Sequence, residues 1–149
     1  MLLDRGADVD AKGSDGGTAL MMASQEGHPS CISVLLDGGA DVNAKNNNGG
    51  TALMAASQEG HPSCISMLLD RGADVNAKNN IGVSALMTAS LNGHPSCISL
   101  LLNRGADIDV IANDGVTTAL SLATDRAVIR MLARASAARN DGSKSSKSS

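Results

Sequence analysis

Histidine and cysteine are the residues of this sequence with the widest chemistry, and they occur together: the heptapeptide GHPSCIS stands at 27–33, at 60–66 and at 93–99. Each copy sets a histidine (His28, His61, His94) three positions before a cysteine (Cys31, Cys64, Cys97). Such a pair could contribute to a metal site or form a thiolate nucleophile with its base. Distance argues against sharing between copies, because zinc ligands lie roughly 2.0–2.3 Å from the ion whereas packed helices lie roughly 8–10 Å apart. One heptapeptide alone offers at most two ligands. Disulfides between equivalent cysteines meet the same obstacle, since Cα separations above about 7 Å cannot be bridged. No carboxylate stands beside the joint at a spacing that suggests an acid/base pair. The expectation is therefore no catalytic residue, no metal and no cofactor, with a thiol or metal-dependent enzyme as the rival.

The elements that carry the joint follow from its flanks. Sliding the chain by 33 residues aligns 13–45 with 46–78 at 27 of 33 positions, and 79–111 is a third copy. A degenerate fourth unit, 112–139, gains one residue before "TAL" and lacks the GHPS joint. The opening MLLDRGADVDAK matches 67–78 in all but two letters at most, counting Met1 as uncertain, so 1–12 reads as a partial repeat. That start suggests a fragment of a longer array or a half-formed first repeat. In each unit Thr18, Thr51 or Ser84 precedes "AL" and is placed to cap a helix with its hydroxyl. The helix so started spans Ala52 to Glu59 in the second unit and stops at Gly60, a residue able to take the left-handed conformation. Pro29, Pro62 and Pro95 fall at the first residue of a second helix, where no amide donor is needed. Its period of 3.6 sets Cys64, Ile65, Leu68 and Leu69 against Ser63, Ser66 and Asp70, and Gly72 ends it. The Asn- and Gly-rich remainder predicts a β-turn or short hairpin. Helices this short are marginal alone, so the units must stack.

Composition agrees with thin layers: 42% of residues are hydrophobic, yet Phe, Tyr and Trp are all absent. Without rings there is no platform for stacking bases. Residues 1–125 hold 14 acids against 6 bases, whereas 126–139 hold Arg126, Arg130, Arg134 and Arg139 and no acid. An acidic body argues against a nucleic-acid partner. No apolar run is long enough for a membrane span, nor the N-terminus apolar enough for a secretory signal. Three cysteines at equivalent positions point to a reducing, cytoplasmic compartment. Met21, Met54 and Met87, one period apart, read as core filler rather than a binding stripe. The Arg126, Arg130, Arg134 row reads as a solvated capping face, and 140–149 as a disordered tail.

The unit resembles the ankyrin repeat, on its 33-residue period, its two short helices and turn, GADVNA at 39–44 and 72–77, and GH at 27, 60 and 93. The signature TPLH is here TALM at 18–21 and 51–54 and SALM at 84–87, so the turns lack the histidine's hydrogen bonds. The resemblance implies an all-α solenoid of stacked helix-turn-helix units over 1–139, with the cysteine in a core aliphatic slot. It also implies that a partner meets the turn tips and first helices, the concave face. Carried over by position, that face holds Lys45, Asn47, Asn48 and Gln58; then Lys78, Asn80, Ile81, Val83 and Leu91; then Ile111, Asn113 and Val116. Along this series polar residues give way to apolar ones. An exposed aliphatic group rimmed by polar residues is what a binding site looks like, unless the irregular fourth unit folds over it. The expected function is non-catalytic binding of a protein or peptide, with Ile81, Val83, Leu91 and Ile111 as anchors. Alternatives are a spacer within a larger array and self-association through the incomplete N-terminal repeat.

Overall fold

A computed structural model describes residues 8–148, with side chains described to residue 138. Eight helices are described: α1 (Ala19–Glu26), α2 (Pro29–Asp37), α3 (Ala52–Glu59), α4 (Pro62–Asp70), α5 (Ala85–Leu91), α6 (Pro95–Asn103), α7 (Ala119–Leu122) and α8 (Arg126–Ser148). The odd-numbered helices stack in one row and the even-numbered helices in a second. The expected helix pairs are present, and no strand is found among the described residues. The expected hairpin reduces to one isolated bridge, between Lys78 and Ser84.

Local chemistry starts and stops these helices where the sequence suggests. The Thr18 and Thr51 hydroxyls accept from the Met21 and Met54 amides at 3.3 Å, and the Ser84 hydroxyl accepts from Met87 at 3.4 Å. Gly27 and Gly60 end α1 and α3 with φ of 77° and 76°, a conformation costly for any residue bearing a Cβ. In the third unit the Met87 sulfur accepts from the Ser84 amide, taking over one role that the missing signature histidine leaves open.

The core is a series of thin layers between units. Leu20, Ile32, Leu53, Ile65, Leu86, Ile98 and Leu101 are fully buried, and Met21, Met54 and Met87 are buried with them. Ser24, Ser57 and Ser90 have no exposed surface, yet each hydroxyl donates to the carbonyl four residues back (Leu20, Leu53, Leu86) at 2.7–2.8 Å. Small, internally satisfied residues let the first helices approach closely without rings to fill a gap.

Two sequence expectations need correction here. Cys31 is exposed, unlike Cys64 and Cys97, which keep 1% of their surface. The cysteine slot faces the preceding unit, so burial depends on what lies before it. Helix α8 also runs through residues 140–148, where the sequence reading expects a disordered tail. Its Ala-rich stretch favours helix, and propagation adds one bond per residue fixed. Residues 1–7, most of the partial repeat and of the self-association expectation, lie outside the described residues, as does Ser149.

The fourth unit departs most from the pattern. Its first helix, α7, has four residues against eight, eight and seven in α1, α3 and α5. Asp125 caps α8 by accepting from the Ala127 amide at 2.8 Å, and Val128 and Leu132 bury one side of it. Arg126, Arg130 and Arg134 are exposed, so the outer side is charged.

Candidate binding surface

The His/Cys joints resolve as structural links between units. The Nε2–H of His61 donates to the Gln25 carbonyl at 2.9 Å and that of His94 to the Gln58 carbonyl at 2.8 Å, each crossing to the preceding unit. The remaining ring edge lies over a glycine: a Cβ at Gly27 would sit 2.7 Å from His61 Nδ1. The histidines stand at the N-cap position of the second helices, yet no side chain among them caps. Burial pushes the Cys64 thiol up and that of Cys97 up to about 11. A nucleophilic cysteine needs the opposite, an accessible thiol held as thiolate. Among the described residues no three His, Cys, Asp or Glu side chains gather where they could hold a metal ion, and no helix is long and apolar enough to cross a membrane.

The turn tips carry the concave surface, and the stack already uses several of its polar side chains. Asn47 donates to the Ser14 carbonyl at 3.3 Å, Asn80 to that of Asn47 at 3.0 Å, and Asn113 to that of Asn80 at 3.0 Å. The Lys12 ammonium donates to the Lys45 carbonyl, and Lys45 in turn to that of Lys78, at 3.0 and 3.2 Å. Of the positions carried over from the resemblance, Lys45, Asn47, Asn80 and Asn113 therefore splint neighbouring units. Lys78, Asn48 and Gln58 remain exposed.

Two grooves of about 600 Å³ each run along this surface. The N-terminal one is polar at its rim, with Asp15, Gln25, Asn48 and Gln58 above Met22, Met54 and Ala55. The C-terminal one gathers Ile81, Val83 and Leu91 with Met87, Thr88 and Leu122, and Asn79, Asn113, Asp114 and Thr117 form its rim. Ile81 and Leu91 keep 65% and 53% of their surface exposed, so the fourth unit does not cover them. The groove exists because α7 is cut short: its single turn leaves the last turn of α5 without a neighbour.

Ile111 and Val116 do not join this lining. Ile111 stands in the column of Lys12, Lys45 and Lys78, before the turn begins. Val116 is displaced by the inserted residue: the Ala112 amide donates to the Thr117 carbonyl, five residues on, where Asn79 and Asn46 reach Val83 and Gly50, four residues on. Thr117 takes the place of Val83, and Val116 bulges out at 75% exposure. Sequence reasoning missed Thr88 and Leu122, although Thr88 replaces an alanine of the sibling unit, a departure of the same kind as Ile81 and Leu91. Asp114 is held below the usual carboxylate range, first by the Thr117 hydroxyl and then by the Thr117 and Val116 amides, so the groove has an ionised rim.

Comparison with known families fits this geometry. A family model described as ankyrin repeats (3 copies) matches residues 1–79, and another, ankyrin repeats (many copies), matches residues 68–123. No curated protein matches the chain. The stacked helix pairs, the 33-residue period and a match over more than half of the sequence agree: the chain belongs to the ankyrin repeat family.

Proposed function

We propose that this chain binds a peptide segment of a protein partner, without catalysis, and that the groove between α5 and α7 is its anchor. Ankyrin repeats are in general protein-interaction modules, and typically non-catalytic. One observation carries the reading to this groove. At the positions where the second unit has Asn48, Gly50 and Gln58, the third has Ile81, Val83 and Leu91, and the two largest of these are exposed. Aliphatic residues that replace polar ones without being buried contribute nothing to packing and mark a contact surface. A groove of about 600 Å³ suits one or two aliphatic side chains. Its rim amides suit the backbone of an extended segment, and the ionised Asp114 suits a Lys or Arg beside the aliphatic anchor. Lys78, Asn48 and Gln58 extend the contact toward the N-terminal groove. Three free cysteines suit a reducing, cytoplasmic setting.

A displayed library of random peptides tests this. Selected binders should share an aliphatic residue next to a basic one. The double change Ile81→Asp and Leu91→Asp should abolish capture while leaving the helical circular dichroism and Tm unchanged. Binders that survive it with unchanged affinity would overturn the groove assignment. Failure to select any binder would favour the second reading, a spacer that sets distance within a larger array.

A further inference from the structure

The bonds that tie one unit to the next are not spread evenly along the stack. Between the first and second full units the Lys12 ammonium reaches the Lys45 carbonyl, His61 reaches Gln25, Asn47 reaches Ser14, and Arg71 pairs with Asp37 at 2.9 Å. The second and third units repeat all four, with Lys45 to Lys78, His94 to Gln58, Asn80 to Asn47, and Arg104 to Asp70 at 2.5 Å. Between the third and fourth units only the asparagine link recurs: the Asn113 side chain donates to the Asn80 carbonyl and its amide to the Ile81 carbonyl. The fourth unit has no histidine, Asn103 stands where Asp37 and Asp70 stand, and Lys78 makes no such bond among the described residues.

Sterics repeat the contrast. A Cβ at Gly27 or Gly60 would meet a histidine ring at 2.7 or 2.6 Å, so ring and backbone close those seams. At Gly93 the nearest atom is Asp125 Cβ, 3.8 Å away. Helix α7 then offers one turn to pack on α5 where the other seams have two. What holds the fourth unit is the apolar contact of Val128 and Leu132 with the third.

We infer that this seam is the weak joint of the array, and that the fourth unit opens from the third as one cooperative body before the rest unfolds. Stacked repeats behave as neighbour-coupled units, so the interface with the fewest bonds opens first. Once parted from α6, α8 has nothing to cover Val128 and Leu132, and a helix without a packed face does not persist. Opening removes Leu122 and the Asp114 turn from the groove, so the groove exists only while the seam is closed. Whatever binds across α5 and α7 therefore also holds the fourth unit in place. The weak seam itself follows from the bonds alone and needs no occupant.

Hydrogen exchange on the full-length chain, read by mass spectrometry at low urea, tests it. Amides of α7 and of the Val128 to Leu132 turn of α8 should exchange together, roughly tenfold or more faster than those of α3 and α4. They should also show a weaker urea dependence. Fraying alone would speed α7 and leave the amide of Leu132 as protected as that of Leu68, and that result would overturn the inference. As a second arm, His94→Ala with Arg104→Ala removes from the preceding seam two of the bonds that the last seam lacks. Helices α5 and α6 should then join the fast group. If all units instead accelerate equally, these bonds do not set the order of opening.

Discussion

Thiol labelling can read the stack directly, because the chain supplies its own control. The three cysteines lie in identical heptapeptides, so in an unfolded chain they have the same local surroundings and should react at the same rate. In the folded chain they differ: Cys31 is exposed, whereas Cys64 and Cys97 each keep 1% of their surface. Only the thiolate reacts. With its pKa raised from 9.0 to about 11, Cys97 at pH 8 holds roughly 0.1% thiolate instead of roughly 10%. That factor alone slows it about a hundredfold, and burial adds the requirement that its seam open first. Trypsin separates the three sites, because the cysteines fall in peptides 13–45, 46–71 and 79–104. Iodoacetamide at pH 8 should therefore label Cys31 within a few-fold of its rate in denaturant and leave Cys64 and Cys97 at least about a hundredfold behind. In urea the three rates should converge. Equal native rates, or Cys97 ahead of Cys31, would refute the claim that each cysteine is buried by the unit that precedes it.

The same thiols give a pH dependence. A pKa raised on folding means that stability is intact below pH 9.0 and is lost as pH rises toward about 11, by about 3 kcal/mol for Cys97. Urea titrations at pH 8 and pH 10.5 should show that loss, and Cys97→Ala should remove most of it. His94→Ala should cost about 1 kcal/mol by leaving the Gln58 carbonyl unpaired, whereas His28→Ala, with no such bond to break, should change the urea midpoint little; equal effects would show that the inter-unit bond contributes nothing. Gly49→Ala should cost more than Gly72→Ala in the same titration. Both have positive φ, worth about 1 kcal/mol, but only at Gly49 would a Cβ meet backbone, 2.8 Å from the Asn80 amide.

What the sequence made legible was the part governed by local rules. Proline at the first residue of α4, threonine before α3 and the left-handed Gly60 each act within one turn of chain, so their spacing alone placed the helix ends. The histidines escaped that logic. Nothing local distinguishes a ring that caps its own helix from one that reaches 36 residues back to Gln25. Cys31 shows the same limit, for an identical heptapeptide has a different burial when its neighbour differs. The groove was half legible. Ile81, Val83 and Leu91 were visible as departures from their siblings, but Leu122 became a wall only because α7 ends after four residues. Val116 was misplaced by the inserted residue that shifts the turn.

The asparagine and lysine ladders explain why carrying the family's contact positions onto this chain overcounts them. A stack without a single aromatic side chain has thin layers, so it gains less from burial than a core of large residues would. Links between turn tips make up part of the difference, and they occupy the polar groups that point toward the concave side. Each Asn→Ala change along the ladder would therefore loosen a seam first and alter recognition only through it. The positions left to read a partner are those that bond to no neighbouring unit and differ between units, and they concentrate around Ile81, Thr88 and Leu91. A double-mutant cycle would separate the two roles. Asn80→Ala and Leu91→Asp should each weaken capture of a selected peptide, but only Asn80→Ala should also lower the urea midpoint, because only it leaves the Asn47 carbonyl without its donor. A midpoint shift of equal size from Leu91→Asp would mean that Leu91 packs the fold rather than faces a partner.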